Sequence, residues 1–127
     1  MERVEEAIIF ATKKHAGQRR KIGNAPYIMH SLEVAQIIST ITDDENIIIA
    51  GLLHDTVEDT DTTLSEIRDV FGDRVMELVS METENKYRQD NPGDTWYRRK
   101  EESLKVLKES TDYGVKIIWL ADKLCIP

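Results

Sequence analysis

The fold of this chain is governed by the segment Ile47-Ile48-Ile49-Ala50-Gly51-Leu52-Leu53-His54-Asp55. Its first seven residues are apolar, which is typical of a buried helix. The run ends on an imidazole that carboxylates follow at once, and burying such groups is costly unless they have partners. A divalent metal suits a neutral imidazole beside carboxylates. The sequence therefore predicts a metal site at the end of a core helix.

The composition is that of a globular domain. The chain has 127 residues, of which 40% are hydrophobic and 32% are charged, and this length is enough for one domain with its own core. No apolar run reaches membrane-spanning length and no charged-then-apolar leader is visible, so we predict neither a membrane segment nor a signal peptide. Cys125 is the single cysteine, which excludes an internal disulfide. We therefore expect a cytoplasmic protein.

The charge is unevenly distributed along the chain. A net charge of −7 argues against a nucleic-acid-binding surface over the whole molecule. Residues 11–30, however, contain no acidic residue and five cations: Lys13, Lys14, Arg19, Arg20 and Lys21. Such a segment can bind phosphate, or it can be a solvated helix end and loop, which composition alone favours.

Apolar residues recur at helical spacing along the first half of the chain. The pattern predicts a first helix that fades near Gly17, a loop over residues 18–29, and a second helix capped by Ser31. Residues 42–44 are expected to open the helix that reaches His54.

The second half follows the same pattern. Thr63 is expected to cap a helix over residues 64–70 that Gly72 ends. A further helical face lies at residues 75–79, and residues 88–94 are expected to form a polar loop.

The remaining segments complete an all-α prediction. A helix is expected over residues 95–109, and a last apolar run over residues 115–121 leads to Asp122. Residues 46–50 and 115–118 are rich in β-branched side chains and could be strands by propensity alone. No run alternates with the period of two that a half-buried strand requires, so we predict five to seven helices.

The carboxylates after the core helix are spaced for a shared site. His54 and Asp55 are adjacent, so both can face one ion only at a helix end. Glu58 follows His54 by four residues and Asp59 follows Asp55 by four, which would put each pair on one helical face. The alternative is an acidic helix terminus with one partly buried histidine. Carboxylates at a helix C-terminus oppose the dipole, which disfavours this alternative.

Two further residues complete a candidate ligand set. His30 lies at a loop-to-helix junction, where a histidine on its own is more often a cap or a core residue than a metal ligand. Asp122 ends an apolar run as His54 does. Together these residues and the His54-Asp55 pair offer two nitrogen and two oxygen donors, a mixture that suits manganese, iron or zinc.

The order of these residues, H…HD…D, resembles the signature of the HD superfamily of metal-dependent phosphohydrolases. The surrounding segments look like the hydrolase domain of RelA/SpoT-type proteins, including their small stand-alone alarmone hydrolases. The matching segments are His15-Ala-Gly-Gln-Arg-Arg-Lys21, Pro26-Tyr-Ile-Met-His30, Gly51-Leu-Leu-His-Asp-Thr-Val-Glu-Asp-Thr60, Phe71-Gly72 and Leu120-Ala-Asp-Lys-Leu124.

This resemblance implies one HD-type helical domain over residues 1–127 with the metal site at its centre. It implies a Mn²⁺-dependent 3′-pyrophosphohydrolase of guanosine tetra- or pentaphosphate that releases pyrophosphate and GDP or GTP. The expected partner is therefore this small nucleotide, with no nucleic acid and no membrane. The family pattern assigns four metal ligands: His30, His54, Asp55 and Asp122.

The resemblance also implies roles outside the ligand set. Glu58 and Asp59 would orient and deprotonate the attacking water, while Arg20 and Lys21 would contact the guanine base and the nucleotide. The sequence departs from the family at Ile126, which stands where relatives have a guanine-recognising asparagine, and family domains extend further at this end. Alternatives are an HD phosphohydrolase of another nucleotide, or an inactive domain that binds a nucleotide.

Overall fold

The structure is a computed structural model, and it describes residues 2–20, 23–84 and 112–125. Within these ranges it has seven helical segments and no strand, apart from one isolated bridge between Arg19 and Pro26. The all-α prediction is therefore confirmed. The segments are α1 (Glu2–Lys14), α2 (Ile28–Ile41), α3 (Glu45–Leu53), α4 (Thr56–Asp59), α5 (Leu64–Phe71), α6 (Asp73–Glu84) and α7 (Tyr113–Leu124). The predicted loop 88–94 and helix 95–109 lie outside the described residues.

Helix α3 is the centre of the molecule. Every residue from Ile47 to Leu53 is buried, and α3 packs against α1, α2, α6 and α7. Its β-branched run is helical because neighbours cover it on all sides, and tertiary packing overrides the weak preference of isoleucine for strands. The β-branched residues 115–118 are helical for the same reason, since Val115 and Ile118 are buried in α7.

Local capping signals set most helix boundaries. The side chain of Asp44 accepts a hydrogen bond from the Asn46 amide at the start of α3, and Thr63 accepts one from the Glu66 amide at the start of α5. Gly72 ends α5 with a φ of 100°, a conformation that glycine adopts without a steric penalty. The predicted cap of α5 and its glycine stop are both found.

The predicted start of α2 is wrong. Helix α2 begins at Ile28, and Ser31 is buried in its interior instead of capping it. The chain turns earlier because the amide of Met29 donates to the carbonyl of Pro26 at 3.0 Å and that of His30 donates to Tyr27 at 3.0 Å. Proline pre-sets the backbone angle for such a turn. His30 therefore lies inside the first helical turn.

The chain changes direction between α3 and α4. Helix α3 ends at Leu53, and the single turn α4 begins at Thr56. The Thr56 hydroxyl donates to the Leu53 carbonyl at 2.7 Å, and the Thr60 hydroxyl donates to the Thr56 carbonyl at 2.6 Å. These bonds stabilise the turn between α3 and α4. His54 and Asp55 therefore lie at a helix end, where two adjacent residues can face the same ion.

The residue that precedes α7, Asp112, attaches this helix to α6. Arg74 makes a bidentate pair with Asp112, at 2.7 and 2.8 Å, and Asp112 also accepts from the Gly114 amide at 2.9 Å. The hydrogen bonds from Arg74 hold the pKa of Asp112 below its usual range. This anchor orients α7, whose far end carries Asp122. No helix in the described ranges is long and apolar enough to cross a bilayer.

Candidate metal centre

Three helices bring the four predicted ligands to one place. His30 comes from the first turn of α2, His54 and Asp55 from the end of α3, and Asp122 from the last turn of α7. One ligand atom from each of His30, His54 and Asp122 lies within 4.8 Å of the other two. The site is thus assembled from helix ends around the core.

The nitrogens and oxygens face one another at short range. Asp122 Oδ1 lies 3.2 Å from Nε2 of His30 and 3.2 Å from Nε2 of His54. Asp55 Oδ2 lies 3.1 Å from His54 Nε2 and 3.7 Å from His30 Nε2. Each imidazole therefore presents the same ring nitrogen to both carboxylates.

The other ring nitrogen of His54 is used by the backbone. Nδ1 donates to the Gly51 carbonyl at 2.7 Å, so the ring is held with Nε2 toward the carboxylates. Burial lowers the pKa of His54, but the negative charges of Asp55 and Asp122 outweigh it and raise that pKa well above 6.5. The site therefore favours a positive charge at this position.

The pKa of Asp122 is shifted in the opposite direction. Burial raises its pKa, yet hydrogen bonds from His30 and His54 outweigh that effect and hold the pKa well below the usual range. Asp55 is buried and Asp122 is half-buried, so two carboxylates are held close together with limited access to water. A divalent cation fits this donor set because it would neutralise both carboxylates and accept both imidazole lone pairs.

Tyr27 supports the site from outside. Its hydroxyl donates to Asp55 Oδ2 at 2.6 Å, and its ring centroid lies 4.7 Å from that of His15 and 5.7 Å from that of His30. This hydrogen bond was not predicted from the sequence. No local spacing indicates it, because Tyr27 and Asp55 are 28 positions apart in the chain.

Glu58 and Asp59 lie on α4, directly after Asp55. Glu58 Oε1 is buried, whereas Asp59 is exposed. Gln18 Nε2 donates to the Asp59 carbonyl at 2.7 Å, and Gln18 Oε1 accepts from Nδ1 of the buried His15 at 2.8 Å. Gln18 thus links the buried His15 to the turn that carries both carboxylates.

The cations of residues 11–30 contact different parts of the protein. Lys14 pairs with Asp61 at 3.4 Å and with Glu66 at 3.3 Å, so this cation belongs to a surface ion pair. Arg20 Nη1 lies 3.6 Å from Glu33 Oε1, and the Arg20 side chain is 13% exposed. Lys21, the second predicted nucleotide contact, lies outside the described residues.

A family model for the HD domain matches residues 7–126. The chain therefore belongs to the HD-domain family, and the predicted family is confirmed. An HD domain implies a divalent metal, for which the His30, His54 and Asp122 cluster is a possible site.

Similar proteins indicate which kind of HD domain this chain resembles. The chain is 40% identical over 126 residues to guanosine-3′,5′-bis(diphosphate) 3′-pyrophosphohydrolase of Aquifex aeolicus, covering 97% of this chain and 17% of the relative. It is 41% identical over 123 residues to the human enzyme of the same name, MESH1, covering 94% of this chain and 64% of the relative.

The fold comparison agrees. A solved structure of a metazoan SpoT orthologue that hydrolyses ppGpp superposes with a TM-score of 0.82 at 33% identity, covering 98% of this chain and 67% of the other. The resemblance to RelA/SpoT-type hydrolases is therefore confirmed. The chain spans less than two thirds of the length of the curated relatives named above.

Proposed function

We propose that residues 1–127 form one HD-type hydrolase domain, a metal-dependent 3′-pyrophosphohydrolase of guanosine tetra- or pentaphosphate. The products are pyrophosphate and GDP or GTP. The observation that carries this proposal is the convergence of two imidazoles and two carboxylates at the ends of three helices. Its support is the 41% identity to a relative named for that reaction. We also propose that the protein acts in the cytoplasm.

The metal is proposed to be Mn²⁺, held by His30, His54, Asp55 and Asp122. When bound there, a divalent metal supplies Lewis acidity that stabilises charge on the phosphoryl oxygens and acidifies a water. The chain's own part is to hold the ligands. Gly51 fixes the ring of His54, and Tyr27 fixes the carboxylate of Asp55.

The neighbouring residues handle the proton and the nucleotide. Glu58 and Asp59 would together orient and deprotonate the attacking water, because both lie on the α4 turn that follows Asp55. Arg20 stacks its guanidinium plane on the guanine base, and Lys21 contacts the nucleotide. The cations of residues 11–30 attract a highly anionic substrate to an otherwise acidic protein.

A second candidate is hydrolysis of another nucleotide by the same residues. Ile126 favours it, because isoleucine has no side-chain donor or acceptor to recognise a guanine edge. An inactive nucleotide-binding domain would share the fold but would release no product.

Pyrophosphate release from guanosine tetraphosphate, measured with Mn²⁺ and with a chelator, tests the proposal. We expect Mn²⁺-dependent release by the wild-type chain and none by Asp55→Ala. A panel of other nucleoside polyphosphates tests the alternative. Release from one of these, and none from guanosine tetraphosphate, would replace the proposed substrate. Metal binding without release from any of them would identify an inactive domain.

A further inference from the structure

Cys125 connects two helices behind the candidate metal centre. It lies at the end of α7 and is buried. Its Sγ lies 3.3 Å from Nδ1 of His30 and donates a 2.8 Å hydrogen bond to Oε2 of Glu33. The three side chains form a continuous chain that ends on one of the proposed ligands.

Both supporting residues follow a proposed ligand by three positions. Glu33 follows His30 by three residues on α2, so the two side chains are neighbours on that helix. Cys125 is the residue directly after α7 and follows Asp122 by three positions, with its amide still bonded to the Ala121 carbonyl. The His30–Cys125–Glu33 chain therefore fixes how α2 and α7 present their ligands to each other.

The direction of the hydrogen bonds suits a metal on Nε2. His30 Nε2 faces Asp122 and Asp55, so Nδ1 is the nitrogen left for a supporting contact. Once a metal takes the Nε2 lone pair, the ring proton resides on Nδ1, where Sγ can accept it while the S–H donates to Glu33. Supporting hydrogen bonds of this kind set ring orientation and ligand basicity in metal sites.

We propose that Cys125 and Glu33 are positioning residues for the metal, acting by holding His30 with Nε2 directed into the site. The proposal rests on metal ligation by His30, as in the proposed function. Arg20 completes the arrangement, because its guanidinium lies 3.6 Å from the other carboxylate oxygen, Oε1 of Glu33. Glu33 thus contacts the proposed nucleotide-binding residue Arg20 directly and the proposed metal ligand His30 through Cys125.

Three substitutions at one position separate hydrogen bonding from packing. Cys125→Ser keeps a donor and an acceptor, Cys125→Val keeps an apolar side chain of similar size, and Cys125→Ala removes both. The readout is the Mn²⁺ dissociation constant, obtained without nucleotide from the electron paramagnetic resonance signal of free Mn²⁺. The unfolding midpoint of each metal-free variant shows that it folds.

We expect Cys125→Ala and Cys125→Val to weaken Mn²⁺ binding about 10–100-fold, the usual effect of losing such a supporting residue. Cys125→Ser should bind Mn²⁺ more tightly than Cys125→Val does. Glu33→Ala should also weaken binding, and Gln36→Ala, on the exposed side of α2, should leave it unchanged. Equal affinities in all variants, or a valine variant that binds better than the serine variant, would overturn the proposal.

A second measurement needs no substitution. With diamagnetic Zn²⁺ bound in place of Mn²⁺, ¹⁵N NMR of the His30 ring should show a protonated Nδ1 and a coordinated Nε2. Coordination through Nδ1 would refute the inference. A protein that releases no pyrophosphate yet shows the expected order of affinities would refute the proposed function alone. Release of pyrophosphate with equal affinities would refute the inference alone.

Discussion

Tyr27 and Asp55 share a 2.6 Å hydrogen bond, in which the phenolic hydroxyl donates to Oδ2 of the carboxylate. Oδ2 of Asp55 also lies 3.1 Å from Nε2 of His54. This one oxygen therefore contacts both the residue that follows α3 and the residue that precedes α2. Burial and the charge of Asp55 both raise the pKa of Tyr27, which keeps the hydroxyl protonated as a donor. Tyr27 therefore fixes the direction in which Asp55 points.

Removing this hydroxyl should weaken metal binding. Tyr27→Phe keeps the ring beside His15 but removes the hydrogen bond that orients Asp55. We expect about a 10–100-fold loss of Mn²⁺ affinity. The free Mn²⁺ signal in a titration measures it. Tyr113→Phe is the matched control, because Tyr113 is 78% exposed and should bind Mn²⁺ as the wild type does. Equal affinity of the two variants would argue against an orienting role for Tyr27.

Gln18 should affect turnover without affecting metal affinity. Its side chain donates to the Asp59 carbonyl, so Gln18→Ala frees the turn that carries the proposed base while leaving the four proposed ligands untouched. Small misplacements of a reacting group can cost about 100-fold in rate, and we expect a decrease in kcat of up to that size. Steady-state kinetics and a Mn²⁺ titration measure the two effects, with Gln36→Ala as the control. A change in metal affinity at unchanged kcat would contradict this assignment.

Much of the fold could be predicted because its signals are local. The threonine cap of α5, its glycine stop and the apolar run of α3 each depend on residues within a few positions of one another. The prediction that Ser31 caps α2 was wrong because two local signals competed. The turn at Pro26 began the helix earlier, and a serine so close to the core is buried by the packing of α2.

The supporting contacts of the site could not be predicted in this way. Cys125 and His30 are 95 positions apart, and they meet only because α2 and α7 pack beside each other around α3. Spacing along the chain carries no information about such a contact. The candidate ligand set was predicted from residue types and from the resemblance to a family, and the roles of its four members stay predictions.

The pH dependence of stability should reveal the charge of His54 in the metal-free protein. Its folded pKa is raised well above 6.5, so the folded state holds this proton more tightly than the unfolded chain does. That contribution to stability is complete below pH 6.5 and is lost as the pH rises through the folded pKa. In chelator, the unfolding midpoint of the wild type should therefore fall from pH 6.5 upward.

His54→Gln provides the comparison for this effect. The difference in unfolding midpoint between wild type and variant should shrink as the pH rises, because the variant has no imidazole to titrate. Mn²⁺ competes with the proton for Nε2, so stabilisation of the wild type by added Mn²⁺ should grow over the same range. A difference that is constant with pH would mean that His54 is neutral in the metal-free fold.

Gly51 should be intolerant of even one added carbon. A Cβ at this position would overlap Ile38 Cδ1 and would lie 3.6 Å from Val34 Cγ1, so α3 could no longer pack as closely on α2. Replacing glycine by alanine in an open helix stabilises it, but overpacking a core costs about 1–3 kcal/mol. We expect Gly51→Ala to lower the free energy of unfolding, as measured by urea denaturation. Adding Ile38→Val, which removes the clashing methyl group, should restore part of the loss. If the double variant is no more stable than Gly51→Ala alone, the close approach of α2 and α3 is not the cause.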